Sequence, residues 1–292
     1  MKSTHHSEYL KLHSLFVKPA LQAFDSEAHL KEQWEELNYL SKPEFNSALN
    51  EYTAFQNYLK NEKITIHEFP FDPSVSIDSI YCRDASIATD FGMILCNMGK
   101  LERVNEPNAQ VKAFEALDIP ILGKIKSPGT LEGGDVAWLD DKTLAVGHTY
   151  RTNSEGIKQL KQLLEPNGIE IVVAELPHYK GKQDVFHLMS ILSPIASDLA
   201  VVYSPLMPIK FRNELKKRGF SFVEVPEDEF ISMGCNVLAL APKKCLMVDG
   251  NPKTKALLLK AGCEVLTYRG EEISIKGGGG PTCLTRPLLR MY

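Results

Sequence analysis

Glu132-Gly133-Gly134-Asp135-Val136-Ala137-Trp138-Leu139 and Thr143-Leu144-Ala145-Val146-Gly147-His148-Thr149, joined by Asp140-Asp141-Lys142, form one apolar-rich hairpin. The polar triplet supplies turn chemistry between two strand-like runs. A helical pattern over 153–164 and a strand pattern over 169–176 follow. The order is strand, strand, helix, strand, and it recurs along the chain.

Upstream, Ser79–Thr89 and Met93–Asn97 flank Asp90-Phe91-Gly92, then a helix from about Glu106 to Leu117 leads to the strand Ile121–Ile125. Downstream, His187–Leu192 and Leu199–Tyr203 precede a helix near 209–218 and the strand Ser221–Val225. Asn236–Ala241 and Cys245–Val248 precede a helix over Pro252–Ala261 and the strand Glu264–Thr267. Near the start, Ser41 as N-cap opens a long helix with Phe45, Leu49, Tyr52, Phe55 and Leu59 at helical spacing, followed by the strand Ile64–Phe69. Helices therefore begin near 43, 106, 153, 209 and 252. Five units of about 45–60 residues indicate internal repetition. Five ββαβ units can close into a ring, which removes exposed sheet edges. The expected fold class is α/β: one domain over 1–292, a five-bladed pseudo-symmetric propeller of ββαβ units. A doubly wound sheet is the alternative. It needs strict strand–helix alternation, and no GxGxxG opens a first helix.

Composition narrows the function classes. At 292 residues, 43% hydrophobic and 24% charged, the chain can bury a sizeable core. A net charge of −4 with no Lys/Arg block gives no electrostatic footprint for nucleic acid. No apolar run approaches the ~18 residues of a membrane span. Met1-Lys2-Ser3-Thr4-His5-His6 lacks the apolar core of a signal peptide, so a cytoplasmic location is expected. The six cysteines contain no CxxC pair, which argues against a disulfide framework and a zinc knuckle. Five of them sit in apolar, strand-like runs, where cysteine acts as a small hydrophobe.

Cys283 differs. It follows Lys276-Gly277-Gly278-Gly279-Gly280-Pro281-Thr282, and glycines let another group approach the backbone closely. The alternative is a hinge before a terminal strand. Asp84, in Asp78-Ser79-Ile80-Tyr81-Cys82-Arg83-Asp84, stands in an apolar strand and needs a partner if buried. Glu132 and Asp135 bracket a Gly-Gly pair at a strand entrance, where carboxylates bind or deprotonate a cationic group. His187 opens an apolar strand; as a lone histidine it reads as a packed residue, and as a partner for a thiol it reads as an acid/base. Arg151 at a helix start, and Arg103, are either carboxylate clamps or solvated arginines. Together these groups suit attack on a planar cationic carbon such as a guanidinium. No metal-ligand spacing and no phosphate loop is present.

As an ordered set, Cys82-Arg83-Asp84, Leu131 to Val136, Arg151-Thr152-Asn153, His187-Leu188 and Gly277 to Thr285 resemble the guanidine-modifying (pentein) superfamily. That superfamily holds dimethylarginine dimethylaminohydrolases, arginine deiminases and amidinotransferases, and the resemblance implies a five-bladed propeller. It implies Cys283 as nucleophile through an amidino-thioether, His187 as general acid and base, and Glu132 orienting His187. It places Asp84 on the guanidinium nitrogens, with Asp135 among the substrate-binding carboxylates. Asp78 matches a position on the substrate's α-amino group, and Arg103 and Arg151 match positions on its α-carboxylate. No metal or organic cofactor is implied. The implied partner is a small guanidino substrate, for a monomer or homodimer without nucleic acid or membrane. His187-Leu188-Met189 and the compact length resemble the dimethylargininase branch; the four glycines and Cys-Arg-Asp resemble the deiminases. By position and analogy, residues 1–40 carry a peripheral strand, a lid and a helix, the lid falling at 11–25 around Leu15, Phe16 and Pro19.

Overall fold

The computed structural model describes residues 2–292. Four three-stranded sheets follow one rule: two antiparallel strands, a helix, then a third strand parallel to the second. In the first, β4 (Ser86–Thr89) pairs with β5 (Gly92–Leu95), and α4 (Glu106–Glu115) leads to β6 (Ile121–Lys124). The second has β7 (Val136–Trp138), β8 (Thr143–His148), α5 (Ser154–Leu164) and β9 (Glu170–Glu175). The third has β10 (Leu192–Ala196), β11 (Leu199–Val202), α6 (Ile209–Lys217) and β12 (Ser221–Glu224). After α7 (Glu227–Phe230), the fourth has β13 (Leu238–Ala241), β14 (Lys244–Val248), α8 (Pro252–Lys260) and β15 (Glu264–Tyr268). The expected helix starts are therefore met within two residues in all five places.

The fifth sheet is built from both ends of the chain. C-terminal β16 (Thr285–Met291) pairs antiparallel with β2 (Lys11–Val17) and with the two-residue β1 (Ser3–Thr4). β2 pairs in parallel with β3 (Thr65–Glu68), across α1 (Ala20–Phe24), α2 (Glu27–Gln33) and α3 (Phe45–Asn61). The first strands β7, β10 and β13 contact one another in sequence, β13 reaches β2, and β16 reaches β4.

Local chemistry explains the elements. Asn153 caps α5 by accepting from Gly156 N at 2.8 Å, and Ile157, Leu160 and Leu164 turn inward. In α3 the buried stripe is Tyr52, Phe55 and Leu59, as the spacing requires. Its N-cap is Glu44 rather than Ser41: Pro43 disfavours helical backbone at the residue before it, and the Glu44 carboxylate accepts from Asn46 N and Ser47 N at 3.1 and 2.6 Å. The third hairpin also begins later than His187. Pro194 lies inside β10, which its edge position and a register shift at Pro194/Ala196 accommodate.

The lid expected at 11–25 is corrected. Residues 11–17 are β2, an inner strand bonded on both sides, with Leu15, Phe16 and Val17 fully buried. The segment that reaches the pocket is Leu37–Leu40, after α2.

Candidate active site

Each sheet delivers a polar side chain at the entrance to its first strand. A 3-10 turn over Cys82–Ala85 places Asp84 ahead of β4. Glu132 precedes the turn Gly133–Asp135 that enters β7, and His187 precedes the turn Leu188–Ser190 before β10. Asn236 and Cys283 each stand two residues before their strands, β13 and β16. Apolar strand residues anchor each turn in the core, which holds the polar group at a fixed height. All three turns fall where the sequence suggests strand, because 3-10 backbone carries no periodic signature over three or four residues.

Asp84, His187 and Cys283 share the wall of a cavity of about 170 Å³, while Glu132 lies behind it, fully buried. Cys283 Sγ accepts from the Asn236 side-chain amide at 3.3 Å. Thr282 N donates to the Asn236 Oδ1 at 3.0 Å, so the amide's NH₂ faces the sulfur. His187 Nε2 is 2.7 Å from Glu132 Oε2, and His187 Nδ1 is 4.0 Å from Asp84 Oδ1. Glu132 also accepts from Gly99 N and Lys100 N at 2.9 and 3.1 Å, and Arg151 Nη1 lies 3.3 Å away. Asp84 Oδ2 accepts from Arg103 Nη1 at 2.6 Å, leaving Oδ1 without a partner in the pocket wall.

Glycines make this approach possible. A Cβ on Gly134 would meet His187 Nδ1 at 2.5 Å and Asp84 Oδ1 at 2.7 Å. In the glycine run, Gly278 has φ +77°, and a Cβ on Gly279 would lie 2.4 Å from the Tyr81 ring and 3.1 Å from Cys283 Cβ. Gly277, Gly279 and Gly280 are thus packed too closely for a side chain, while Gly278 turns the backbone at positive φ beside open space.

Burial lowers the His187 pKa, but the charges of Asp135 and Asp84 and the bond to Glu132 outweigh it and push it up to about 9. Glu132 is opposed by burial, yet Arg151 and His187 hold its carboxyl well below the usual range. Burial raises the Cys283 thiol, as does the Asp84 charge; the Asn236 and Thr282 bonds work the other way. The resting site is an imidazolium between two carboxylates beside a thiol with a raised pKa. Asp84, Glu132 and His187 offer donor atoms within 4.8 Å of one another, but both carboxylates are already paired with arginines.

The remaining expected residues fall in two groups. Asp78 lines the pocket, and its Oδ2 is 2.6 Å from Lys100 Nζ, which also donates to Leu37 O at 2.8 Å. Arg103 lines it too, but its donors are directed to Asp84, to both Glu106 oxygens at 2.8 Å and to Tyr81 O at 2.9 Å. Arg103 therefore braces Asp84. Asp135 is corrected from substrate contact to support: it is fully buried and accepts from Leu188 N at 3.0 Å and Thr149 Oγ1 at 2.7 Å, fixing the turn that carries His187. Asn236, Lys100 and Glu106 escaped the reading of the sequence. Asn236 was findable, since the fourth repeat should also present a polar residue at its first strand.

Comparisons with known proteins identify the family. The chain is 30% identical to the N(G),N(G)-dimethylarginine dimethylaminohydrolase of Streptomyces coelicolor, over 74% of this chain and 76% of that protein. It is 24% identical to the arginine deiminase of Listeria welshimeri, over 99% and 78% respectively. The fold matches the dimethylarginine dimethylaminohydrolase of Pseudomonas aeruginosa, solved as a cysteine-to-serine mutant complexed with citrulline, with a TM-score of 0.76, 23% identity and coverage of 94% and 99%. The family model described as N,N dimethylarginine dimethylhydrolase, eukaryotic, matches residues 21–290. With nearly the whole chain matched, the protein belongs to the N,N-dimethylarginine dimethylhydrolase family, hydrolases acting on guanidino groups.

Proposed function

We propose that the protein hydrolyses the guanidinium group of a methylated arginine to citrulline and an amine, through a covalent intermediate on Cys283. The observation that carries this reading is the His187–Glu132 pair at 2.7 Å behind a pocket that also holds Asp84 and Cys283. The free Oδ1 of Asp84 takes a guanidinium N–H and orients its plane. The substrate cation favours loss of the Cys283 proton to solvent, so that the sulfur attacks as a thiolate. The sulfur adds to the guanidinium carbon, His187 gives its proton to the departing nitrogen, and the C–N bond breaks to leave an amidino-thioether. Neutral His187 then takes a proton from water, hydroxide adds to the same carbon, and the C–S bond breaks to release citrulline.

The five small sheets are read as blades of a closed propeller spanning 1–292, each sending one of Asp84, Glu132, His187, Asn236 and Cys283 toward its centre. A cytoplasmic location accords with six free thiols. A second reading, arginine hydrolysis with release of ammonia, is favoured by the match to a deiminase over 99% of the chain. Apolar side chains of the pocket wall, Phe186, Phe230 and Met233, favour the methylated substrate.

The test is a citrulline assay across arginine, Nω-methylarginines, agmatine and N-acylated arginines, with Cys283→Ser as control. Dimethylamine or methylamine released with citrulline supports the first reading, and ammonia from arginine the second. Turnover retained by Cys283→Ser would remove the nucleophile from both.

A further inference from the structure

Behind the pocket floor, three arginines share one carboxylate. Arg83, Arg286 and Arg290 are 0%, 3% and 1% exposed. Glu8, also buried, accepts from Arg83 Nη2 at 2.7 Å. The other acceptors are neutral carbonyls: Ser86 O takes Arg286 Nη1 at 2.8 Å, and Ala239 O and Leu10 O take Arg290 Nη1. Arg83 Nε and Nη1, Arg286 Nε, and Arg290 Nε and Nη2 have no acceptor among the described residues. Three positive charges and one negative charge leave the cluster at +2.

Buried donors in folded proteins almost always find an acceptor, and a buried charge left uncompensated is costly. The strain is visible in the arginines themselves. Burial and the Arg83 charge pull Arg286 down to about 9, with Glu8 opposing. Burial pulls Arg290 down to about 10, with Glu8 opposing and Arg83 adding to the fall. Water would satisfy the donors but leave the charge; an anion does both. The near-zero exposure of all three side chains sets the size, too closed for a metabolite.

We propose that Arg83, Arg286 and Arg290 form a structural binding site for one chloride-sized inorganic anion. The site adjoins the active centre through the backbone, because Arg83 N donates to Cys283 O at 3.3 Å. The Arg83 charge also favours the Cys283 thiolate, so a seated anion weakens that influence.

Two measurements test it. Crystals grown with bromide replacing chloride should show an anomalous peak within hydrogen-bond reach of at least two of these guanidinium groups. Thermal unfolding in sodium chloride should give a Tm that climbs with the logarithm of chloride, relative to sodium gluconate at matched ionic strength. Arg290→Met should flatten that climb, and Glu8→Gln, which leaves +3, should steepen it. If neither variant folds, the bromide crystal and the wild-type salt comparison decide. Water alone at the cluster, or coincident Tm values in the two salts, would overturn the site.

Discussion

Asn236 donates its side-chain amide to Cys283 Sγ at 3.3 Å while its carbonyl oxygen is held by Thr282 N and Oγ1 at 3.0 and 2.8 Å. The amide thus points at the sulfur and cannot rotate away. A hydrogen bond to an ionised group contributes about 1.5–3 kcal/mol, and burial already disfavours this thiolate. Asn236→Ala should lower kcat/KM roughly 10- to 100-fold and shift alkylation of Cys283 by iodoacetamide to higher pH. An unchanged alkylation profile would show that the amide does not reach the thiolate.

Gly134 allows His187 and Asp84 to meet over the backbone. The methyl group of Gly134→Ala would need the space of both, at 2.5 and 2.7 Å. Displacing a catalytic group by about 1 Å costs on the order of 100-fold in rate. The variant should fold, with a circular dichroism spectrum like the parent, and lose about that much kcat. Near-normal turnover would mean that the His187 turn can shift without penalty.

Lys100 fills the position beside Asp78 that the family resemblance gives to a substrate amino group, between Asp78 and Leu37 O at 2.6 and 2.8 Å. Any incoming ammonium must displace it. Lys100→Met removes the competitor, so KM for agmatine, which carries an amine, should fall roughly tenfold; this corresponds to one charge-assisted bond. The backbone N–H of Lys100, which holds Glu132, is untouched by the substitution. If KM does not move, Asp78 is not an amine site.

The pH profile follows from His187. Its folded pKa of about 9 lies above the ordinary 6.5. The stability it contributes is therefore complete below 6.5 and lost as pH rises through 9. The imidazolium needed by the departing amine survives to the same pH, which sets the basic limb of kcat/KM near 9. Glu132→Gln removes one supporting charge and should move that limb downward. A limb that stays in place would assign it to another group.

Much of this was legible before the structure. Helix starts could be read because Pro107, Asn153 and Pro252 mark first turns by their own backbone chemistry. Asp84 and His187 stood out as polar residues in apolar runs, Glu132 as a carboxylate beside a Gly-Gly pair, and Cys283 by its glycine-rich approach. Asn236 did not, because the neutral amide that opens the run Asn236–Ala241 carries no charge whose burial would demand a partner. Lys100 drew no reading and Glu106 read only as a helix start; the tertiary fold alone sets the Lys100 ammonium against Asp78 and buries Glu106 against Arg103. Asp135 was misassigned because sequence places it near the site but cannot say on which side of His187.

The pairing of β16 with β2 has a consequence in time. The strand that follows Cys283 is made long after its partner, β2. No nascent chain can position its thiol until β16 has been made and has met β2. Chemistry waits for that late pairing, so a product truncated before residue 285 is inert rather than partly active.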